Sequence, residues 1–258
     1  MKLIILAGGK GTRLSEETIL KPKPLVLVGG KPIIWHIMKH YSQFGVNEFI
    51  ICLGYKGHLI KEYFSNYHLL NSDIEIDTLK NDYKILKKSK DEWKIKLIDT
   101  GENTLTGGRI KKVLKYVKND DYFALTYGDG VSNIDIKKQI KFHQKHKKIA
   151  TMSLVRPPGR FGAVQTKSKI IEKFIEKPQG DGSWVNGGFF ILSPKILKYI
   201  KGLNAIWEQE PLKKLSKNKQ LTGYFHRGFW YAMDTLRDQI YLDDLWNKSK
   251  APWKTWND

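Results

Sequence analysis

The chain opens on a short apolar, β-branched run, Met1-Lys2-Leu3-Ile4-Ile5-Leu6, which breaks at once into Ala7-Gly8-Gly9-Lys10-Gly11-Thr12-Arg13. Such a run reads as a strand buried on both faces, the kind that builds parallel sheets. A parallel sheet needs crossover connections, so the rest of the chain has to supply helices between its strands. The turn that follows also carries chemistry. Glycine-rich backbone at a strand's end lets N–H groups close around anionic oxygens, and Arg13 adds a fork of donors matched to phosphate. Leu6, Ala7, Gly8, Gly9, Lys10, Gly11, Thr12 and Arg13 are therefore candidates for a polyphosphate cradle. This is not a Walker A loop, because no Gly-Lys-Ser/Thr follows a glycine after four spacers. It is not a dinucleotide fingerprint either, since Leu14 stands where the third glycine belongs.

The first half alternates as a wound sheet requires. Apolar runs at 2–6, 48–53 and 121–127 read as strands, and segments 32–44, 57–66 and 107–118 carry helical apolar spacing. Ligands of such a sheet gather at the carboxyl ends of its strands. The Gly8-Gly9 turn and the Gly128-Asp129-Gly130 turn both follow strands, so they are expected to meet in one crevice. The stretch 73–106 reads as an insertion of short strands. Further on, 149–155, 162–166, 170–175 and 185–192 are strand-like and separated by Pro/Gly clusters, as in an antiparallel addition to the main sheet. Helices over Trp207–Lys217 and Thr235–Lys248 bracket another strand at 220–225.

Composition narrows the class. With 258 residues, 41% hydrophobic and 12% aromatic, the chain is long and apolar enough for a folded globular domain. Its single cysteine, Cys52, lies in the apolar run Phe49-Ile50-Ile51-Cys52-Leu53, which excludes a disulfide framework and points to a reducing cytoplasm. The N-terminal apolar stretch is too short for a signal peptide and no run is long enough to span a membrane, so a soluble protein is expected. The net charge of +19 raises the question of nucleic acid. Yet lysines such as Lys111, Lys112, Lys115, Lys137, Lys138 and Lys141 alternate with apolar residues at helical spacing, which makes them solvated outer faces. No nucleic-acid partner is expected; attraction of anionic small molecules is the milder consequence. The histidines, His36, His40, His143 and His146 among them, show no metal-ligand spacing and read as packing or surface residues.

Several residues then fit one reaction type. Lys23, held between Pro22 and Pro24, presents an ammonium from a restricted backbone and joins Arg13 as a candidate for the β- and γ-phosphates of a nucleotide. Asp129, in a glycine-flanked turn after a strand, is either a turn former or a magnesium ligand on the α-phosphate. Asp234, taken alone, reads as a helix N-cap before Thr235-Leu236-Arg237. Glu176-Lys177, taken alone, reads as a surface ion pair. Asn186 precedes Gly187-Gly188, where bare backbone permits close approach of a sugar.

The chain resembles the sugar-1-phosphate nucleotidylyltransferases. The blocks that carry the resemblance are Gly8-Gly9-Lys10-Gly11-Thr12-Arg13-Leu14 with Pro22-Lys23-Pro24, Thr100-Gly101-Glu102-Asn103-Thr104-Leu105-Thr106-Gly107-Gly108-Arg109, and Tyr127-Gly128-Asp129-Gly130. Pro157-Pro158-Gly159-Arg160-Phe161-Gly162, Glu176-Lys177-Pro178, Asn186-Gly187-Gly188 and Met233-Asp234-Thr235 extend it nearly end to end. Within that family it is most similar to the branch that joins CTP to glucose 1-phosphate. The resemblance implies a Rossmann-like α/β fold: a mixed, mostly parallel wound sheet with helices on both faces and a strand-rich sugar-binding lobe. It implies one nucleotidyltransferase domain over 1–258, with the nucleotide-binding half at about 1–150 and the sugar-phosphate half and C-terminal helix at about 151–258. It makes Arg13, Lys23, Asp129 and Asp234 the catalytic set, with Mg²⁺ on Asp129 and Asp234. Thr104, Arg109 and Gly128 would line the nucleotide pocket, and Glu176, Lys177 and Asn186 would bind the sugar phosphate. The choice of CTP over UTP or dTTP rests on the resemblance alone. So does a homo-oligomer, with the C-terminal Trp246, Trp253 and Trp256 as candidate interface residues. The rival readings are the same chemistry with another base or sugar, a glycosyltransferase on a similar sheet, and a non-catalytic nucleotide- or nucleic-acid-binding protein. The glycosyltransferase usually carries an Asp-x-Asp pair that Tyr127-Gly128-Asp129-Gly130 lacks.

Overall fold

The computed structural model describes residues 1–87, 90–159, 163–175 and 183–256. In chain order the strands are β1 (Lys2–Leu6), β2 (Leu27–Val28), β3 (Lys31–Pro32), β4 (Glu48–Leu53), β5 (Asp73–Asp77), β6 (Asp82–Lys87), β7 (Lys94–Asp99) and β8 (Phe123–Tyr127). They continue as β9 (Gly130–Ser132), β10 (Ala150–Val155), β11 (Ala163–Lys167), β12 (Ile170–Ile175), β13 (Val185–Leu192), β14 (Leu221–Phe225) and β15 (Trp230–Ala232). The helices are α1 (Ser15–Thr18), α2 (Ile33–Ser42), α3 (Gly57–Ser65), α4 (Tyr67–Leu70), α5 (Thr106–Val113), α6 (Ile136–His146), α7 (Glu210–Lys217) and α8 (Leu236–Asn247).

Seven strands form the central sheet in the order β14-β10-β13-β8-β1-β4-β7. All run one way except β13, which is antiparallel to both β10 and β8. The alternation of side chains along β1 explains why helices cover both faces. Leu3 and Ile5 point into a core shared with Ile33, Ile37 and Tyr41 of α2 and Leu242 of α8. Ile4 and Leu6 point into a second core with Ile110 and Val113 of α5 and Leu212 and Leu215 of α7. A strand buried on both sides has no polar positions to spare, and so reads as one unbroken apolar run.

Two expectations about the edges are corrected. β11 and β12 pair with each other as a hairpin and do not join the main sheet. Their residues from Val164 through Ile175 are exposed, so no buried face dictates addition to the sheet. Residues 73–106 are not wholly an insertion. β5 and β6 do form a separate hairpin, but β7 is the edge strand of the central sheet, paired in parallel with β4. The C-terminal tryptophans also serve the chain's own core. Trp253 and Trp256 are 1% and 8% exposed, and both rings pack around His36 of α2. Trp246 stacks with Trp253 and covers Gly29, where an added Cβ would lie 1.8 Å from the indole.

Burial leaves several polar groups uncharged. His36, His40 and His143 are pushed down to about 4 by desolvation, and each keeps a hydrogen bond: His36 with Val28 O, His40 with Ile134 O and His143 with Thr151 Oγ1. The Cys52 thiol is pushed up to about 12 by burial, which makes it an inert packing group. Among the described residues no helix is long and apolar enough to cross a membrane.

The strand order fixes where a ligand can sit. β1 has β4 on one side and β8 on the other, so the winding reverses between β1 and β8. The loops after these two strands separate there and open a crevice at their carboxyl ends.

Candidate active site

That crevice is a cavity of about 780 Å³. Its walls include the whole stretch Leu6 to Arg13, together with Lys23, Thr104, Arg109, Gly128, Asp129, Asn186 and Asp234. The two glycine turns expected to meet both line this one site, and they adjoin where Gly128 N–H donates to Leu6 O at 3.0 Å. The first turn is shaped by its neighbours: Gly11 adopts φ +63°, a left-handed conformation that favours glycine, and its carbonyl accepts from Leu14 N–H at 2.9 Å.

Charge converges at one end. Lys23 lies in a short 3₁₀ turn that begins after Pro22, and the residue is 8% exposed. Its Nζ donates to Asp129 Oδ2 at 2.7 Å and to Asp234 Oδ1 at 2.8 Å. Burial alone would lower the lysine's pKa; the two carboxylates outweigh it and hold the ammonium above its usual range. Arg13 Nη1 donates to the other oxygen of Asp234 at 2.9 Å. Two residues more than 100 positions apart come together because β15 pairs with β9. Ala232 lies opposite Gly130, and Met233 N–H donates to Asp129 O at 2.9 Å. Asp234 follows directly. It does not cap the helix behind it: Thr235 is the N-cap of α8, in a capping box with Asp238. The Asp234 carboxylate is therefore available to the cavity.

Asp129 and Asp234 converge on one cation, the position held by the Lys23 ammonium. Two hard carboxylate oxygens around one positive charge fit Mg²⁺, which takes one or two protein carboxylates and completes its shell with phosphate and water. Among the described residues no group of three or more His, Cys, Asp or Glu could hold a metal ion, as a self-contained protein cage would require.

Arg109 lines the cavity, but its guanidinium is turned into the protein. It is 4% exposed and donates to Leu53 O (2.8 Å), Thr100 Oγ1 (2.6 Å), Gly101 O (2.9 Å), Gly8 O (2.9 Å) and Glu102 O (3.0 Å). These acceptors belong to the ends of β1, β4 and β7, so one side chain ties three strand exits together. Gly8 is bare for the same reason, since a Cβ there would fall 2.2 Å from Arg109 Nη1. Arg109, expected to line the nucleotide pocket, does lie on the cavity wall, with its guanidinium spent on the loops around it. Thr104 also lines the cavity, and its hydroxyl accepts from Lys112 Nζ at 3.4 Å.

Another part of the wall joins Asn186, which the sequence singled out, to three residues it did not, Tyr127, Thr106 and Glu208. Tyr127 Oη donates to Glu208 Oε1 at 2.5 Å, and Thr106 Oγ1 donates to Glu208 Oε2 at 2.7 Å. Burial, then the charge of Glu208, pushes the Tyr127 phenol up and keeps it a donor. Asn186 Nδ2 donates to Tyr127 Oη at 3.4 Å, while its Oδ1 accepts from Gly188 N–H at 2.9 Å. No local pattern marks Glu208, because its partners lie 81 and 102 positions away. Glu176 and Lys177, expected at the sugar phosphate, lie outside the described residues.

Comparisons with known proteins identify the family and the fold. The nucleotidyl transferase family model matches residues 2–247. A glucose-1-phosphate cytidylyltransferase of Salmonella typhimurium is 54% identical over 256 residues, covering 99% of this chain and 100% of that one. A probable glucose-1-phosphate cytidylyltransferase of Bacillus subtilis is 44% identical over 257 residues, with 99% and 100% coverage. Among solved structures, a putative glucose-1-phosphate thymidylyltransferase of Bacillus anthracis in complex with a sucrose shares the fold at TM-score 0.68 and 21% identity, covering 100% of this chain and 98% of that one. HddC from Yersinia pseudotuberculosis does so at TM-score 0.66 and 24% identity, with 95% and 99% coverage. A match that spans the glycine turn, both carboxylates and nearly the full length, at this identity, shows that the chain belongs to the nucleotidyl transferase family, in the group that contains the glucose-1-phosphate cytidylyltransferases.

Proposed function

We propose that this chain joins CTP and α-D-glucose 1-phosphate to give CDP-glucose and diphosphate. The observation that carries this reading is the Lys23–Asp129–Asp234–Arg13 cluster at the mouth of a glycine-rich turn, in a chain 54% identical to a glucose-1-phosphate cytidylyltransferase. In the reaction an oxygen of the sugar phosphate attacks the α-phosphorus of the nucleotide. The bond from that phosphorus to the bridging oxygen of the β-phosphate breaks, and diphosphate leaves with the electron pair. The nucleophile is already an anion, so no general base is needed. What the site must supply is alignment of two polyanions and charge at the leaving group.

The turn from Gly8 to Arg13 is suited to wrap the triphosphate with its backbone N–H groups. Lys23 and Arg13 neutralise the β- and γ-phosphates as negative charge builds on the departing diphosphate. Asp129 and Asp234 would hold Mg²⁺, which when bound supplies positive charge at the α-phosphate oxygens. A triphosphate in the turn would offer the Lys23 ammonium, now held by Asp129 and Asp234, a second set of anionic partners, so the charge stays paired. Asn186 faces the same cavity and is suited to the sugar.

The test is diphosphate release with Mg²⁺ and glucose 1-phosphate, offering CTP, UTP, dTTP, ATP and GTP separately. CTP is expected to be turned over fastest. A faster rate with another nucleotide would keep the chemistry and discard the cytidylyl assignment. No release with any of the five would send the search to other sugar 1-phosphates.

A further inference from the structure

Glu208 is an exposed carboxylate in a basic protein, yet both its oxygens are hydrogen-bonded to the cavity wall. The hold begins at the first turn of α5. A Cβ on Gly108 would lie 1.8 Å from Leu203 O, and one on Gly107 would lie 2.8 Å from Ala205 O. Because both are glycine, the segment from Leu203 to Glu208 lies directly on that turn. Gly108 N–H donates to Ala205 O at 3.2 Å, and Trp207 N–H donates to Thr106 Oγ1 at 2.9 Å. The Trp207 side chain, fully buried in the second core, anchors the next residue. Glu208 thus arrives at the N-terminus of α5, where the helix dipole favours a carboxylate.

Its hydrogen bonds have a fixed sense. Thr106 accepts from Trp207 N–H, so its single proton goes to Glu208 Oε2. Tyr127 accepts from Asn186 Nδ2, so its proton goes to Glu208 Oε1. Each carboxylate oxygen then keeps acceptor capacity toward the cavity. Two adjacent acceptors on one carboxylate match two hydroxyls on neighbouring carbons. A negative group at this wall repels phosphate, which assigns it to the uncharged part of a substrate, and its link to Asn186 places it with the sugar.

We propose that Glu208 is a specificity-determining residue that accepts hydrogen bonds from a pair of adjacent hydroxyls on the glucosyl ring. This rests on the reading of the site given above, and the experiment separates the two. Full-length wild-type protein, Glu208→Gln and Tyr127→Phe would be assayed with glucose 1-phosphate and with its 2-, 3-, 4- and 6-deoxy analogues, and with CTP against 2′-deoxy-CTP. Removing a charged acceptor is expected to raise the KM for glucose 1-phosphate about tenfold or more, with kcat and the KM for CTP changed far less. The penalty that wild type shows for the deoxy analogues at the two recognised positions is expected to vanish in Glu208→Gln. Tyr127→Phe keeps the carboxylate and loses one of its two protein donors, so it should show the same pattern more weakly. It also carries the test if Glu208→Gln melts well below wild type. An unchanged KM for glucose 1-phosphate overturns the proposal. So does an effect that follows 2′-deoxy-CTP, which would give Glu208 to the ribose. If wild type rejects glucose 1-phosphate but uses another sugar 1-phosphate, the functional reading fails, and the deoxy series of that sugar decides Glu208 separately.

Discussion

The two ends of the cavity are built in different ways. The phosphate end is assembled from short motifs that each carry their own chemistry: a glycine turn after β1, a lysine between prolines, and one aspartate after each of two strands. The far end is assembled from contacts between Tyr127, Thr106, Asn186 and Glu208, none of which is distinctive alone. The first end is set by turns and charges that are each legible within a few residues, brought together by the β9–β15 pairing. The second is set by how α5, β8, β13 and the segment before α7 pack. The difference predicts that substitutions at the phosphate end change how fast the protein works, those around Glu208 change how well it holds the sugar phosphate, and those in the framework behind both, such as Arg109, change whether it stays folded.

The largest effect is expected at Lys23. Lys23→Ala removes the partner of both carboxylates and a fixed charge for the leaving group, so kcat/KM for CTP should fall on the order of a hundredfold or more. Binding of glucose 1-phosphate, measured by calorimetry, should fall much less. The reverse order would mean that the lysine belongs to the sugar phosphate, and the division between the two ends would break.

Arg109 sharpens the contrast because it touches the phosphate end from behind. Arg109→Ala strips five acceptors of a buried cation and is expected to destabilise the fold by about 3 kcal/mol, read by denaturant unfolding. The order of nucleotide preference in the protein that remains folded should be unchanged. A stable variant with an altered preference would show that Arg109 contacts the nucleotide in addition to tying the loops.

A smaller and gradual effect is expected from pH. His36, His40 and His143 are held down to about 4 by burial, against an ordinary value of 6.5. The unfolded chain therefore takes up these protons first as the pH falls. The stability they contribute is complete above pH 6.5 and is lost progressively from there toward 4. Melting temperature should decline over that window, and a flat profile down to pH 4 would show that these rings are not buried neutral. The smallest effect is at the cavity rim. Lys10 and Glu102 lie 3.6 Å apart with both side chains more than half exposed, so Glu102→Gln should cost under about 0.5 kcal/mol in stability.

How much of this the sequence discloses follows from the same contrast. Leu3-Ile4-Ile5-Leu6 and Gly8-Gly9 are legible because a doubly buried strand and a tight anion-binding turn each dictate residue types within a few positions. Asp234 is half legible: its sequence neighbourhood fits both a cap and a metal ligand. The Thr235-x-x-Asp238 box, visible in the sequence, frees it from capping. Arg109 shows the limit of position without direction, since nothing local says that its guanidinium turns inward. Glu208 is illegible because its role is created by partners 81 and 102 positions away. The β11–β12 hairpin misleads for another reason. Strand-like alternation without a buried face does not say which sheet the strands join.

The measurement that bears most directly on the account is a Mg²⁺ titration of CDP-glucose formation from CTP and glucose 1-phosphate by wild type, Asp129→Asn and Asp234→Asn. Wild type should require the metal and saturate with it. Each variant should retain its melting temperature to within a few degrees and lose turnover by about a hundredfold or more at every Mg²⁺ concentration. Metal-independent turnover by wild type, or near-normal rates in both variants, would contradict the assignment of these two carboxylates.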